Sequence, residues 1–285
     1  MRVIRARTAG FCLGVSLALR RLDRELAALD QGAGHRLLTF GPVIHNPLVM
    51  RRYADLGVQS VENPAQIRPG DRLVIRAHGL PRLLEEKLAA RGAVLVDATC
   101  PKVKKAQTAI ALQSGEGRAL LLFGEREHPE VRGLLSYAAR GARAFTRPEE
   151  ALCLPLGEEE DYCLAAQTTQ ERSLFEETAR LLRGRLGSRL TVLDTICDAT
   201  RQRQKEALSL AKRVDVVIVV GGRNSGNTRR LAEVVRSRGA EAIHVEQAAD
   251  LAPAMLRGRS VAGLTAGAST PKSHINEVQK LLEKF

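Results

Sequence analysis

Residues 93–114 read AVLVDATCPKVKKAQTAIALQS, an apolar run that leads through a cysteine into a stretch with helical periodicity. The same order recurs in LTVLDTIC (190–197), which shares the Asp-x-x-Cys spacing and precedes DATRQRQKEALSLAKR. It recurs again at the amino terminus, where MRVIRARTAGFC (1–12) leads into LGVSLALRRLDRELAAL. A strand, a cysteine and a helix follow one another three times, which predicts a repeated α/β unit.

A further strand-like run follows each of these helices and ends at a glycine with a polar residue four positions later. The glycines are Gly41, Gly124 and Gly221, and the polar residues are His45, His128 and Ser225. Another run in each repeat ends at polar groups, namely His78, the pair Thr168 and Thr169, and Ser269. Because functional groups in parallel sheets gather beyond the carboxyl ends of strands, we expect these side chains to face one centre.

The spacing of the cysteines sets the period of the repeat. Cys100 follows Cys12 by 88 positions and Cys197 follows Cys100 by 97, close to one third of the 285 residues. We therefore predict three pseudo-symmetric α/β units, which are 13–100, 101–197, and 198–285 completed by 1–12. The third unit then takes its cysteine from the amino terminus, as in a ring. The alternative is an ordinary doubly wound sheet, in which strands and helices alternate without threefold symmetry.

The charge and hydropathy of the chain limit its function classes. Lys and Arg number 44 against 32 Asp and Glu, a net charge of +12. Arg-rich coding bias, nucleic-acid binding, and attraction of an anionic substrate or acidic protein all explain such an excess. With 3% aromatic residues and no Trp, base stacking is disfavoured. No apolar run reaches about 18 residues, and Arg20 and Arg21 close the stretch 9–19 without a cleavage site, so we expect a cytoplasmic protein.

The cysteine pattern indicates a metal centre. An odd count of five, with no CxxC pair, disfavours a disulfide framework and a zinc ribbon. Cys12, Cys100 and Cys197 occupy matched repeat positions, whereas Cys153 and Cys163 do not and are expected to be structural. Three converging thiolates suit Zn²⁺ with a fourth ligand, or a [4Fe–4S] cluster with one open iron. Such an iron can act as a Lewis acid or pass electrons to a substrate.

The polar residues at the strand ends predict an anion site, because histidines, hydroxyls and helix amino termini all favour phosphate. The donors are His45, His78, His128, Ser225, Asn227 and Ser269. The segment GGRNSGNT (221–228) nearly matches the phosphate-binding loop of NTPases, but Asn227 replaces the essential Lys, which disfavours an NTPase. Glu130 is either a proton donor beside this set or a solvated residue at a helix start.

Nine short motifs resemble those of the 4-hydroxy-3-methylbut-2-enyl diphosphate reductase family, in family order and over essentially the whole chain. They are GFCLGV (10–15), IHNP (44–47), AHG (77–79), DATCP (97–101), HPEV (128–131), QTT (167–169), IC-x-AT (196–200), NSGN (224–227) and TAGAS (265–269). Each motif alone is weak, but nine in order with three cysteines are specific. The resemblance implies a cloverleaf of three α/β units around a central iron–sulfur cluster, in agreement with the repeat.

The resemblance also implies a set of roles. Cys12, Cys100 and Cys197 would ligate a [4Fe–4S] cluster that keeps one open iron, and Glu130 and Thr168 match residues that position the substrate hydroxyl and relay protons. The implied reaction is a two-electron reductive dehydroxylation that gives isopentenyl and dimethylallyl diphosphates, the last step of the methylerythritol phosphate route to isoprenoids. Electrons would come from ferredoxin or flavodoxin, or indirectly from NADPH.

The substrate contacts follow from the same resemblance. The residues that would hold the diphosphate substrate are His45, His78, His128, Thr168, Thr169, Thr200, Ser225, Gly226, Asn227 and Ser269. Gly226 stands where many members carry Ser, so one hydroxyl contact is absent while the backbone N–H remains. Glu127 and Arg132 add charges on either side of the HPEV motif.

Two alternatives come from outside this family. A quinolinate synthase-like protein would also have three similar units and three cysteines that bind one cluster. However, that family lacks the HPEV, NSGN and TAGAS motifs. A basic nucleic-acid-binding protein would account for the net charge of +12 and for nothing else in the sequence. We expect neither a membrane partner nor a specific nucleic acid.

Overall fold

In the computed structural model, which describes residues 1–29 and 35–285, twelve strands pair in parallel to form three four-stranded sheets. The strands are β1 (Arg2–Arg5), β2 (Leu37–Phe40), β3 (Gln59–Val61), β4 (Arg72–Ile75), β5 (Val94–Asp97), β6 (Ala119–Phe123), β7 (Ala142–Phe145), β8 (Tyr162–Ala166), β9 (Leu190–Val192), β10 (Val216–Val220), β11 (Ala242–Val245) and β12 (Val261–Ala266).

Helices connect the strands. They are α1 (Leu13–Leu29), α2 (Pro47–Asp55), α3 (Arg82–Ala90), α4 (Pro101–Gly115), α5 (Pro129–Leu135), α6 (Glu150–Cys153), α7 (Arg172–Leu186), α8 (Asp198–Ala211), α9 (Gly226–Arg236) and α10 (Lys272–Leu282). In the described ranges no helix combines the length and the apolar character needed to cross a bilayer.

The three sheets share one strand order. It is β3-β2-β4-β5 in the first and β7-β6-β8-β9 in the second, and the third reads β11-β10-β12-β1. The amino-terminal strand therefore takes the position that β5 and β9 hold, ahead of the loop that carries a cysteine. This common order confirms the predicted fold of three α/β units.

The glycine that follows the central strand β2, β6 or β10 makes the same hydrogen bond in each sheet. The backbone N–H groups of Gly41, Gly124 and Gly221 donate to the carbonyl oxygens of Val61, Phe145 and Val245, each at 2.8 Å. These acceptors close the neighbouring edge strands β3, β7 and β11. The bond is made at the same point beyond each central strand. The loops that carry the polar residue four positions later therefore start at equivalent positions in the three sheets.

The chain divides into two compact units. Unit 1 comprises Met1–Val15, His45–Arg51 and Cys197–Phe285, and it contains the third sheet. Unit 2 comprises Ser16–Ile44 and Arg52–Ile196, and it contains the first and second sheets. The boundaries drawn at the cysteines stay a prediction.

Both faces of the third sheet are covered, which explains why its central strand is apolar throughout. Ile218 and Val220 of β10 lie in the core formed with α10, whereas Val217 and Val219 pack against α8 and α9. In unit 2, β6 likewise alternates between a core with α7 and a core with α4 and α5. Strands buried on two faces are continuously hydrophobic rather than alternating.

The strands end earlier than the sequence indicated, because the cysteines lie in loops beyond them. β5 ends at Asp97 and β1 at Arg5, ahead of Cys100 and Cys12. The loops still follow the neighbouring strands: the Cys100 N–H donates to the Ala77 carbonyl at 2.9 Å, and the Cys12 N–H to the Ala268 carbonyl at 3.1 Å. Cys12 and Cys100 thus each keep a backbone bond to the segment that follows the neighbouring strand.

We predict that Gly263→Ala destabilises unit 1. A Cβ atom at this buried position in β12 would lie 2.7 Å from Leu210 Cγ on α8, so the Leu210 side chain or the helix must shift. Overpacking of this kind costs about 1–3 kcal/mol. The matched control is Gly184→Ala in α7, where a Cβ meets nothing within 4 Å and replacing a helical glycine stabilises by about 0.5–1 kcal/mol. Denaturant unfolding of both variants measures the difference, and equal free energies of unfolding would contradict it.

Candidate active site

The three cysteines at matched positions all lie at the amino-terminal end of a helix. Cys12 Sγ accepts a hydrogen bond from the Val15 N–H at 3.4 Å in the first turn of α1. Cys100 and Cys197 are the residues immediately before α4 and α8. All three side chains are half-buried. A helix amino terminus favours negative charge, so each position suits a thiolate that binds metal.

The other two cysteines differ in their surroundings. Cys163 is fully buried in β8, and burial raises the pKa of its thiol to about 11. It is therefore a small neutral side chain of the core. Cys153 is exposed at the end of α6, and neither residue precedes a helix.

In unit 1, the start of α9 offers a cradle for an anion. Ser225 caps the helix, and its Oγ accepts from the Thr228 N–H at 3.3 Å. Gly226 and Asn227 form the first turn, and the buried Asn227 Nδ2 has no hydrogen-bond partner among the described residues. A buried amide without a partner is costly, so a ligand that accepts a hydrogen bond there gains free energy.

The His45 segment is fastened to the same unit by the loop after β12. Ser269 Oγ donates to the His45 carbonyl at 3.1 Å, and Asn46 Nδ2 donates to the Ser269 carbonyl at 2.9 Å. A Cβ atom at Gly222 would come within 2.7 Å of the His45 carbonyl oxygen, so only glycine allows this approach. His45 and Ser269 are therefore held together at the carboxyl edge of the third sheet.

In unit 2, the side chain of Glu130 is 2% exposed and is held by one threonine. Its Oε1 accepts from the Thr168 N–H at 2.6 Å, and its Oε2 accepts from Thr168 Oγ1 at 3.0 Å. Burial raises the pKa of this carboxyl to about 7, although the two bonds from Thr168 oppose the rise. The structure thus excludes the solvated helix-start residue that was the alternative. A carboxyl poised near neutral pH is suited to donate a proton.

Two histidines accompany this carboxyl. His128 caps α5, and its Nδ1 accepts from the Glu130 N–H at 3.1 Å. The neutral ring therefore carries its proton on Nε2, where it can donate to a ligand. The His78 ring meets the His128 ring edge to face, with 5.5 Å between centroids. Unit 2 thus combines two imidazoles and an acid with a raised pKa on adjoining loops.

Thr169 and Thr200, the other two threonines of the predicted site, lie in different compact units. Thr169 Oγ1 accepts from Gln167 Nε2 at 3.1 Å, and Gln167 Oε1 accepts from the Glu125 N–H at 3.1 Å. This chain of bonds links the QTT and HPEV loops within unit 2. Thr200 lies buried in the first turn of α8 in unit 1.

Comparison with known proteins decides the family. Residues 3–283 match the family described as LytB protein. The chain is a member of the LytB family. It is 56% identical over 290 residues to 4-hydroxy-3-methylbut-2-enyl diphosphate reductase of Nitratidesulfovibrio vulgaris (strain DP4) and 57% identical over 285 residues to that of Oleidesulfovibrio alaskensis, with all of each chain covered.

Two solved structures resemble this LytB protein. The E-1-hydroxy-2-methyl-but-2-enyl-4-diphosphate reductase of Plasmodium falciparum has a TM-score of 0.93 at 23% identity, over 99% of this chain and 87% of that one, and supports the fold. An (E)-4-hydroxy-3-methyl-but-2-enyl diphosphate reductase, described as the terminal enzyme of the non-mevalonate pathway, has a TM-score of 0.68 at 36% identity over all of both chains.

In this LytB protein, each compact unit collects part of the predicted site. Unit 1 holds Cys12, His45, Cys197, Thr200, Ser225, Gly226, Asn227 and Ser269. Unit 2 holds His78, Cys100, His128, Glu130, Thr168 and Thr169. The charges flanking the HPEV motif pair with each other, because Arg132 donates to the Glu127 carboxylate on the surface. That pairing leaves the buried part of the motif unaltered.

Sequence reasoning missed residues that fasten the loops of this LytB protein. Asn46 lies in the quoted IHNP motif, but only its bond to Ser269 shows what it does. Glu206 on α8 accepts from the N–H groups of Arg7 and Thr8 at 2.7 and 2.8 Å, and thereby anchors the loop before Cys12. No local pattern marks Glu206, because its acceptor role depends on a loop nearly 200 positions earlier.

We predict that Glu130 makes stability depend on pH. Below about pH 4.5 its carboxyl is protonated in both folded and unfolded chains, and above that only the folded chain keeps the proton up to about pH 7. The wild type should therefore lose stability relative to Glu130→Gln as the pH rises between these values. Denaturant unfolding at pH 5 and pH 8 measures this change. Glu277→Gln, which removes an exposed carboxylate, is the control, and a pH-independent gap between wild type and Glu130→Gln would contradict the assignment.

Proposed function

We propose that this protein is a 4-hydroxy-3-methylbut-2-enyl diphosphate reductase, which catalyses the last step of the methylerythritol phosphate pathway. It converts (E)-4-hydroxy-3-methylbut-2-enyl diphosphate to isopentenyl and dimethylallyl diphosphates. The carbon–oxygen bond of the terminal hydroxyl breaks, two electrons and two protons are consumed, and water leaves. Full-length relatives at 56–57% identity carry this name, which favours the reductase over a quinolinate synthase-like enzyme or a nucleic-acid-binding protein.

The observation that carries the proposal is the buried Glu130–Thr168 pair. Loss of a hydroxyl as water requires a proton at the leaving oxygen, and a carboxyl with a pKa of about 7 retains one near neutral pH. Thr168 Oγ1, which is bonded to Glu130 Oε2, can pass the proton on and also orient the hydroxyl. Burial keeps the carboxyl from losing its proton to solvent.

LytB enzymes are iron–sulfur enzymes, and the thiols of this chain fit such a group. Soft thiolates at helix amino termini are the usual ligands of iron–sulfur clusters. We assign Cys12, Cys100 and Cys197 as three ligands of a [4Fe–4S] cluster with one open iron. When bound, the cluster supplies the electrons and a Lewis-acidic iron for the substrate oxygen. Cys153 and Cys163 occupy no comparable position.

The diphosphate would be held by the polar side chains that follow the strand ends. The proposed donors are His45, His78, His128, Thr169, Thr200, Ser225, Asn227 and Ser269, with the backbone N–H of Gly226. The start of α9 supports this part of the proposal, since its capping Ser225 and the unpartnered Asn227 amide point to an anion. The missing hydroxyl at Gly226 is compensated by the backbone N–H groups of the same turn.

The net charge of the protein and the charge of its substrate bear on the electron donor and on the cellular location. Ferredoxin or flavodoxin would donate the electrons, or NADPH indirectly. Small acidic electron carriers suit a protein of net charge +12, because opposite charge speeds the encounter. We expect the enzyme to act in the cytoplasm, because its diphosphate substrate is charged and does not cross membranes.

The ligand assignment predicts which cysteines the cluster requires. Cys12→Ser, Cys100→Ser and Cys197→Ser should each lose the brown cluster and nearly all turnover, because a ligand thiolate is removed. Cys153→Ser and Cys163→Ala should keep both. Anaerobic absorption spectra with iron and sulfide analysis make the comparison. A Cys153 variant without the cluster, beside a Cys100 variant that retains it, would refute the ligand set.

The proton role of Glu130 predicts a separation of chemistry from binding. Glu130→Gln keeps the size of the side chain and can still accept from the Thr168 N–H, while its amide donates to Thr168 Oγ1 instead of accepting from it. The acid is removed, so kcat should fall by about 10²–10⁴-fold with a normal cluster spectrum. His45→Asn removes a diphosphate contact made in ground and transition states alike, so it should weaken substrate binding more. Single-turnover rates and substrate Kd for both variants test this. Wild-type kcat in Glu130→Gln would remove Glu130 from the mechanism.

A further inference from the structure

Arg203 is a buried arginine in unit 1. It connects α8, the helix that follows Cys197, to the loop before Cys12. It lies on α8, six positions after Cys197, and is 4% exposed. Its Nη2 donates to the Gly10 carbonyl at 2.5 Å, and its Nη1 donates to the Ala199 carbonyl at 3.4 Å. Gly10 lies two residues before Cys12, and Ala199 lies two residues after Cys197. The Ala199 bond lies within α8, so the Gly10 bond is the one that ties the loop before Cys12 to α8, the helix that follows Cys197.

The positive charge of Arg203 needs a negative counterpart, because a buried cation without one is costly. Glu206, one turn further along α8, acts on this charge, but its carboxylate oxygens are engaged by Arg7 and Thr8. Cys12 and Cys197 are near enough to Arg203 that negative charge on their sulfur atoms would stabilise its guanidinium. The buried Arg203 Nε–H has no partner among the described residues, so one donor remains for sulfur.

We propose that Arg203 is a positioning residue for the iron–sulfur cluster, which it serves in two ways. Its bridge from α8 to the Gly10 carbonyl fixes the loop before Cys12 against the helix that follows Cys197, and so slows the loss of iron. Its charge stabilises the cluster after an electron has been added, because the reduced cluster is more negative. This inference rests on the proposed function, since it assumes that Cys12 and Cys197 are ligands.

The bridge and the charge can be separated by substitution. Arg203→Gln removes both the charge and the guanidinium bond to the Gly10 carbonyl. Arg203→Lys keeps the charge but cannot span the Gly10 and Ala199 carbonyls together. Glu206→Gln is the matched control from the same helix, because it loosens the loop before Cys12 and removes a negative charge instead of a positive one.

The experiment uses the anaerobically reconstituted full chain. Potentiometric titration followed by electron paramagnetic resonance measures the reduction of the cluster, and transfer of iron to a chelator measures its loss. Arg203→Gln should be at least tenfold harder to reduce, a fall in potential of about 59 mV for one electron. Arg203→Lys should keep the wild-type potential but lose iron several-fold faster, and Glu206→Gln should show no fall in potential.

Each outcome decides a different point. A wild-type potential in Arg203→Gln, or an equal fall in Arg203→Lys, would overturn the charge role. Iron loss from Arg203→Lys at the wild-type rate would overturn the bridge, and this variant decides the question if Arg203→Gln does not fold. A wild-type protein that takes up no cluster would overturn the proposed function itself, whereas a wild type that binds the cluster, with unchanged variants, overturns only this inference.

Discussion

The hydrogen bond from the glycine after each central strand to the end of its edge strand is the constraint on which the sites depend. Gly41, Gly124 and Gly221 each make it at 2.8 Å, and beyond each glycine the chain leaves its sheet toward a polar residue. Parallel pairing requires every strand to end at the same edge, so loops from distant parts of the chain meet there. Each sheet thereby presents functional groups that no single segment could bring together.

Burial gives these groups their chemistry. Glu130 follows a histidine cap in a short helix, where a carboxylate would ordinarily be solvated, yet Val131 and Leu134 of the same helix pack in the core and draw it inside. The free energy lost by burying the acid is partly recovered through the two bonds from Thr168. The raised pKa is therefore a consequence of how α5 packs and not of a neighbouring charge.

Prediction from sequence succeeded where burial leaves a local pattern. Strands covered on both faces, such as β6 and β10, are apolar runs, and the matched cysteine spacing indicated the threefold repeat. The edge strands β3, β7 and β11 were missed, because three or four residues with one exposed side carry little periodicity. Arg203 was missed for another reason: its partner Gly10 lies 193 positions away, and only the folded chain brings them together.

The pairing of β1 with β12 also sets an order of events during synthesis. Arg2–Arg5 are synthesised well before their partners Val261–Leu264, which lie about 260 positions later in the chain. At about 5–20 residues per second the amino-terminal strand waits roughly 13–50 s for its place in the third sheet. Until Arg203 and then Ala268 are synthesised, the Cys12 loop lacks the guanidinium and the carbonyl that hold it. The nascent chain therefore presents an unprotected Cys12 thiol until the third sheet has been synthesised, so this loop reaches its final arrangement late.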